Sequence, residues 1–215
     1  MSEQRHYSLL DQICLGVDQA VRTVFANPKT TERPYPAKDL LDADFSLETR
    51  KQAAALMRVN HAGEVCAQAL YHGQALTSKR QDVKEKMQQA AIEEGDHLAW
   101  CQQRLLELGS HTSYLNPVWY AGSFAMGLTA GLIGDKWSLG FLAETETQVV
   151  KHLEEHLELL PAEDHKSFNI LAEMRKDEAE HRDHALQAGA AILPDWIKKI
   201  MRRVSKVMVK TAYWI

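Results

Sequence analysis

The sequence predicts an all-α protein: a four-helix bundle with a long crossover between its halves and an accessory helix at each end. Three observations predict it. Apolar residues recur at three- and four-residue spacing through four long stretches. Glu-x-x-His occurs within two of them, at Glu94/His97 and Glu178/His181, and a lone glutamate, Glu64 or Glu146, precedes each about one helix earlier. The midpoints of Glu64/Glu94 and Glu146/Glu178 fall at residues 79 and 162, both in stretches that read as turns. Two antiparallel hairpins folded there would each bring their acids to one height.

A chain of 215 residues suits one domain with a sizeable core. The net charge is −4, but the tail after Asp195 carries six basic residues and no acid. Nothing in this balance points to a nucleic-acid partner. Cys14, Cys66 and Cys101 are odd in number and form no C-x-x-C pair, which argues against a disulfide framework and for a reducing compartment. The first residues contain no apolar signal region, so no export is expected.

Leu9, Leu10, Ile13, Val17, Val21, Val24 and Phe25 fit a first helix over 7–26. It would pack on the bundle or form an arm to a partner. Pro28, Pro34 and Pro36 then mark a linker. Residues 1–37 thus form an N-terminal helix and Pro-rich linker, and 38–215 the bundle domain. A long helix starts near Ser46 and runs to about Leu76, with Thr77–Arg80 as the turn. The next helix runs through Met87, Leu98 and Leu105 and stops at Gly109.

Residues 117–134 hold no charged side chain. Their Gly, Ser and Thr content weakens a membrane-span reading, leaving a crossover helix that covers the bundle or meets lipid or an apolar substrate. In the third long helix Leu139, Leu142, Glu146, Val149 and Leu153 share a stripe that Glu144 leaves. Pro161 marks the following turn. In the fourth, Leu171, Met174, Glu178, His181 and Ala185 share a stripe, with Asp177 and Glu180 expected in solvent. Residues 195–215 form the last helix: Ile197, Ile200, Met201, Val204, Val207 and Met208 on one face, basic residues around the rest, Trp196 and Trp214 at its ends. With no acid to balance its charge, it reads as a membrane-surface helix.

Four glutamates and two histidines on inner faces need neutralising, because like charges held close in a core raise one another's pKa. Two divalent cations would do this, and carboxylate with imidazole suits iron or manganese. One Glu beside a Glu-x-x-His, given twice, is the ligand set of ferritin-like di-iron carboxylate bundles. We therefore expect Glu64 and His97 on one ion, Glu146 and His181 on the other, and Glu94 and Glu178 bridging. A single Glu-x-x-His is weak; Glu3 and His6 also match it at a terminus. His152 is a candidate outer partner or proton-handling group. His61 and His72 share the first ligand helix and are expected at the surface or satisfied in the core, and Cys66 and Cys101 as core filling.

Arg58-Val-Asn-His-Ala-Gly-Glu64, Ala69-Leu-Tyr-His-Gly-Gln74, Glu94-Gly-Asp-His97, Glu146 with His152, and Asp177-Glu-Ala-Glu-His181 together resemble the signature of the demethoxyubiquinone hydroxylases of ubiquinone biosynthesis. The likeness runs from about residue 46 to the end. It implies a ferritin-like, membrane-associated di-iron monooxygenase that hydroxylates the ring of a polyprenylated methoxy-methyl-benzoquinol with O2. It carries the metal over to Glu64, Glu94, His97, Glu146, Glu178 and His181. Implied too are two iron ions, an external, NADH-derived electron donor, and a peripheral place on the cytoplasmic face of the cell membrane. Accessory proteins of ubiquinone biosynthesis and further copies of the chain are the implied partners. Some family members have Tyr where this chain has Leu153, so a role for that Tyr does not transfer.

Two other classes compete. A ferritin-like iron- or peroxide-handling protein would need no basic amphipathic tail. A scaffold using metal only for stability would consume no oxygen with quinol.

Overall fold

The computed structural model describes residues 8–215, apart from the side chains of Leu9, Gln12 and Ile13, so the Glu3/His6 match lies outside the described residues. Seven helices follow in order: α1 (Leu9–Phe25), α2 (Leu47–Thr77), α3 (Gln81–Glu107), α4 (Asn116–Ile133), α5 (Asp135–Leu159), α6 (His165–Gln187) and α7 (Asp195–Trp214). The two hairpins are α2–α3 and α5–α6, and α4 is the crossover. Residues 79 and 162 both lie in the turns, as the spacing of the glutamates requires.

Local chemistry sets the helix ends. Ser46 caps α2 by accepting from the Thr49 amide. Gly109, at φ +67°, lets the Ser110 amide reach Leu105 O and its own amide reach Leu106 O, closing α3. Gly189 repeats the arrangement after α6.

Two polar clamps tie the hairpins together. At one end Asp135, opening α5, accepts from the Ser78 hydroxyl and from the Lys79 and Arg80 amides in the α2–α3 turn. At the other end Arg104 of α3 is 0% exposed and donates to Asp164 and Ser167 at the start of α6, to Asp42 of the linker and to Glu107. The glutamates lie between these clamps.

Helix α2 is buried on almost every face from Ala53 to Ala75, because α3, α4 and α7 all pack on it. The crossover α4 lies so close that a Cβ on Gly127 would sit 2.3 Å from Leu70 O, and one on Gly73 2.5 Å from Phe124 O. It covers the bundle on that side while leaving Val118, Leu132 and Ile133 exposed. No described helix is long and apolar enough to cross a membrane.

Of the accessory helices, α1 takes the packed of its two expected places, and α7 departs from its expected one. Helix α1 packs along one edge, through Ala20, Val24 and a 2.6 Å hydrogen bond from Thr23 to Gln68, but leaves Leu10, Val17, Val21 and Phe25 in solvent. The face expected on α7 is split. Ile197, Met201 and Met208 are half-buried, whereas Ile200, Val204 and Val207 are exposed between Trp196 and Trp214. Nor is the tail wholly unbalanced: Glu144 of α5, off its own helix's inner stripe, meets Lys198 at 3.3 Å and Arg202 at 3.9 Å.

Replacing Gly127 with Val should drive α4 off α2 and cost about 1–3 kcal/mol, the usual range for overpacking. A lowered urea midpoint would register it; an unchanged midpoint would mean that α4 is free to shift.

Candidate metal centre

Each helix of the two hairpins delivers its share at the same level. Glu64 comes from α2, Glu94 and His97 from α3, Glu146 from α5, and Glu178 and His181 from α6. All six are buried, Glu94 and His97 completely. Glu64, Glu94, His97 and Glu178 each turn one ligand-type atom into a group in which all lie within 4.8 Å of one another.

The two histidines divide the central carboxylates between them. His97 Nδ1 is 3.0 Å from Glu94 Oε2 and 3.2 Å from Glu178 Oε1. His181 Nδ1 is 3.2 Å from Glu94 Oε1 and 3.5 Å from Glu178 Oε2. Each carboxylate therefore shows one oxygen to each imidazole. Glu64 Oε2 lies 3.6 Å from His97 Nδ1 on one flank. On the other, Tyr71 donates its hydroxyl to Glu146 Oε1 at 2.8 Å and sets its ring edge-on to His181.

Behind the histidines stand two acids that the sequence pattern did not single out. His97 Nε2 donates to Asp177 Oδ2 at 2.9 Å, and His181 Nε2 to Glu93 Oε2 at 2.7 Å. Asp177 is thus buried against His97, not solvated as its place off the stripe suggested, while Glu180 is exposed. The arrangement is reciprocal: the acid just before each Glu-x-x-His, Glu93 on α3 and Asp177 on α6, holds the histidine of the opposite helix. The Glu93-Glu94 and Asp177-Glu178 dipeptides were the available signal. A carboxylate behind an imidazole fixes its tautomer and raises its basicity, as behind metal-bound histidines.

The electrostatics are those of a charge cluster without enough counter-charge. Burial, then the charge of Glu94, pushes Glu64 well above the carboxylate range. Burial and the charge of Glu178 do the same to Glu146. Burial would lower His97 and His181, but the carboxylates around them raise both. The same histidines outweigh burial at Glu94 and hold it well below its usual range. Glu64 Oε2, Glu94 Oε1, Glu146 Oε2, Glu178 Oε2 and His181 Nδ1 are buried with no hydrogen-bond partner. Unpaired buried acceptors are costly, and these converge from both hairpins. Carboxylate and imidazole donors converging in this way could hold divalent metal.

The other described histidines are elsewhere. The His152 and His156 rings lie tilted against each other with centres 3.9 Å apart, and His156 meets Asn60 Oδ1 at 3.0 Å; among the described residues no hydrogen bond links His152 to the six. His61 faces Asn116, and His72 faces Tyr120. Burial lowers His61 and His72 to about 4 and His156 to about 3, leaving them neutral. Cys101 is buried in the core, Cys66 partly so.

The shifts give a pH signature. In chelator-treated protein Glu64, Glu146, His97 and His181 hold protons more tightly folded than unfolded. Their stability is complete below the unfolded pKa values and lost as pH rises, above about 4.5 for the glutamates and about 6.5 for the imidazoles. Glu94 is shifted the other way and costs stability only as pH falls below its usual range. Metal-free protein should therefore unfold at lower urea as pH climbs from about 6 to about 8.5; a flat or rising midpoint would contradict this balance.

Comparison with known proteins agrees with this geometry. The family model of ubiquinone biosynthesis protein COQ7 matches residues 51–212. A 3-demethoxyubiquinol 3-hydroxylase from Nitrosococcus oceani is 55% identical over 99% of this chain and 100% of its own length. Relatives of that name from Acinetobacter baumannii and Nitrosomonas eutropha are 54% and 52% identical, over 98% and 96% of this chain and 100% and 99% of theirs. Among solved structures, the dodecameric thioferritin from Bacteroides fragilis, a bacterioferritin-related protein, aligns with a TM-score of 0.54 at 18% identity, covering 73% of this chain and 90% of that one. That likeness shows the fold alone, which is ferritin-like. With the family model spanning most of the chain and relatives above half identity from end to end, this protein belongs to the COQ7 family of ubiquinone biosynthesis proteins.

Proposed function

We propose that the chain is a 3-demethoxyubiquinol 3-hydroxylase, a two-iron monooxygenase acting on the ring of a polyprenylated methoxy-methyl-benzoquinol. The observation that carries this is the near-full-length likeness to relatives of that name in a chain that also buries six converging glutamates and histidines. In this reading Glu64 and His97 would hold one iron, Glu146 and His181 the other, and Glu94 and Glu178 would be shared between them. The division of each central carboxylate between the two imidazoles supports that sharing.

Overall, a ring C–H becomes C–OH with one oxygen atom of O2, and the other leaves as water. Two electrons and two protons come from an external donor, which we take to be NADH-derived. Bound iron supplies the activation of O2, which side chains alone cannot provide. The chain's own residues supply placement. Asp177 and Glu93 keep the Nε2 protons of the histidines, so that each Nδ1 faces inward. Tyr71 occupies Glu146 Oε1 and leaves Oε2 turned to the cluster. With every one of the six less than a tenth exposed, the chain keeps bulk water from the cluster.

A polyprenyl substrate stays in the bilayer, so the enzyme works at the membrane surface, peripherally and on the cytoplasmic face. Helix α7 supports this. Its outer side shows Trp196, Ile200, Val204, Val207 and Trp214, and Lys199, Arg203, Lys206 and Lys210 run beside them. An apolar stripe next to a basic one suits a helix lying in the headgroup region of an anionic membrane.

Glu178→Ala should lose two-iron loading and quinol-dependent oxygen uptake together. A variant that kept both would refute the ligand assignment. Changing Lys199, Arg203, Lys206 and Lys210 to Gln should weaken partition onto anionic vesicles at low salt by up to about a thousandfold, given about 1 kcal/mol for each basic residue near such a surface. Equal partition of variant and wild type would remove α7 as the anchor.

A further inference from the structure

The linker before the bundle reaches the metal centre. Between α1 and α2 it lies directly on α3 beside the cluster: a Cβ on Gly95, the residue after Glu94, would collide with Lys29 O. Thr31 donates from its amide, at 3.0 Å, and from its hydroxyl to Asp96. Glu32 then takes φ +61°, the only positive φ at a non-glycine residue among those described, and the chain turns Arg33 inward. Arg33 Nη1 donates to Asp177 Oδ2 at 2.6 Å and Nη2 to Glu173 Oε1 at 2.8 Å. Its guanidinium lies 4.9 Å from the centre of the Trp100 ring, and Trp100 packs against His97 at 5.4 Å.

We propose that Arg33 is a positioning residue for His97, and that it makes the two metal positions unequal. This rests on the two-metal reading above. Asp177 Oδ2 accepts from His97 and from Arg33 at once, so the arginine fixes the carboxylate that fixes the imidazole. The same guanidinium lies over the indole that packs against that ring. The opposite half has no such brace. Glu93, behind His181, is partly exposed and accepts only from His181 and Gln89; among the described residues no lysine or arginine pairs with it. The bundle is nearly symmetric in its ligands and asymmetric in what holds them, and the difference comes from a segment before residue 51, where the family match begins.

Titration of the chelator-treated full-length chain with Co2+, followed by its visible absorption and by calorimetry, tests this. Wild type should take up two ions per chain. Arg33→Gln should weaken one step by about tenfold, the low end of the usual loss when an outer partner of a metal ligand is removed, and leave the other unchanged. Losing a nearby positive charge would by itself favour cation binding, so a weakened step reports positioning. Arg33→Lys should restore part of the affinity, having the charge without the fork. Glu173→Gln removes the arginine's other partner and should change neither step.

The proposal is overturned if Arg33→Gln binds both ions like wild type, if both steps weaken together, or if Glu173→Gln matches it. Metal-free protein gives a separate readout: the His97 Nε2 proton resonance should shift in Arg33→Gln and stay in place in Glu173→Gln. Wild type taking up fewer than two Co2+ while that resonance responds as stated would overturn the two-metal reading and uphold Arg33 as the brace of His97. A resonance unmoved by Arg33→Gln would overturn the Arg33 proposal alone.

Discussion

Placing four carboxylates in one bundle core is the constraint to which the rest of the molecule answers. Repulsion among buried acids would open the hairpins unless protons or cations intervene. The structure meets part of that demand with two imidazoles, each set between the central glutamates and anchored from behind by an acid of the opposite hairpin. It meets the mechanical part with the Arg104 and Asp135 clamps on either side of the cluster. The level at which the charges face one another is thus held from both ends.

Much of this was legible in the sequence. Glu-x-x-His twice, each with an upstream glutamate, marked the six converging residues, and the midpoints placed both turns because antiparallel helices of equal rise must mirror about their loop. Glycines and prolines marked the helix ends for backbone reasons that need no tertiary context. What escaped was everything depending on contacts between distant elements. Asp177 lies off its helix's apolar stripe, and a stripe is a statement about one helix; His97 reaches it from another. Glu144 leaves its helix's stripe, and what it meets depends on α7 folding over it. Arg33 stood among prolines with no periodicity to mark it.

The likeness to solved and curated relatives and the residue-level chemistry answer different questions. A bundle shared with a thioferritin at 18% identity sets the scaffold and leaves the chemistry open. The near-full-length relatives narrow the chemistry, and the buried, unpartnered oxygens explain why a core of this composition calls for cations. Tyr71 adds a detail: by engaging one oxygen of Glu146 while no described tyrosine donates to Glu64, it distinguishes the flanking carboxylates.

The seat of α7 has a consequence for the substrate's tail. Ala212 and Met208 rest against Val59 and Ala62 of α2, within two turns of Glu64, and Arg58 donates to Tyr213 O to lock the end of the helix there. On the membrane-surface reading, lipid and cluster are separated by little more than the width of one rod. A quinol head would have only a short distance to rise, its isoprenoid trailing behind in the leaflet. Selection would then fall on the ring alone, and quinols with longer or shorter tails should be handled alike.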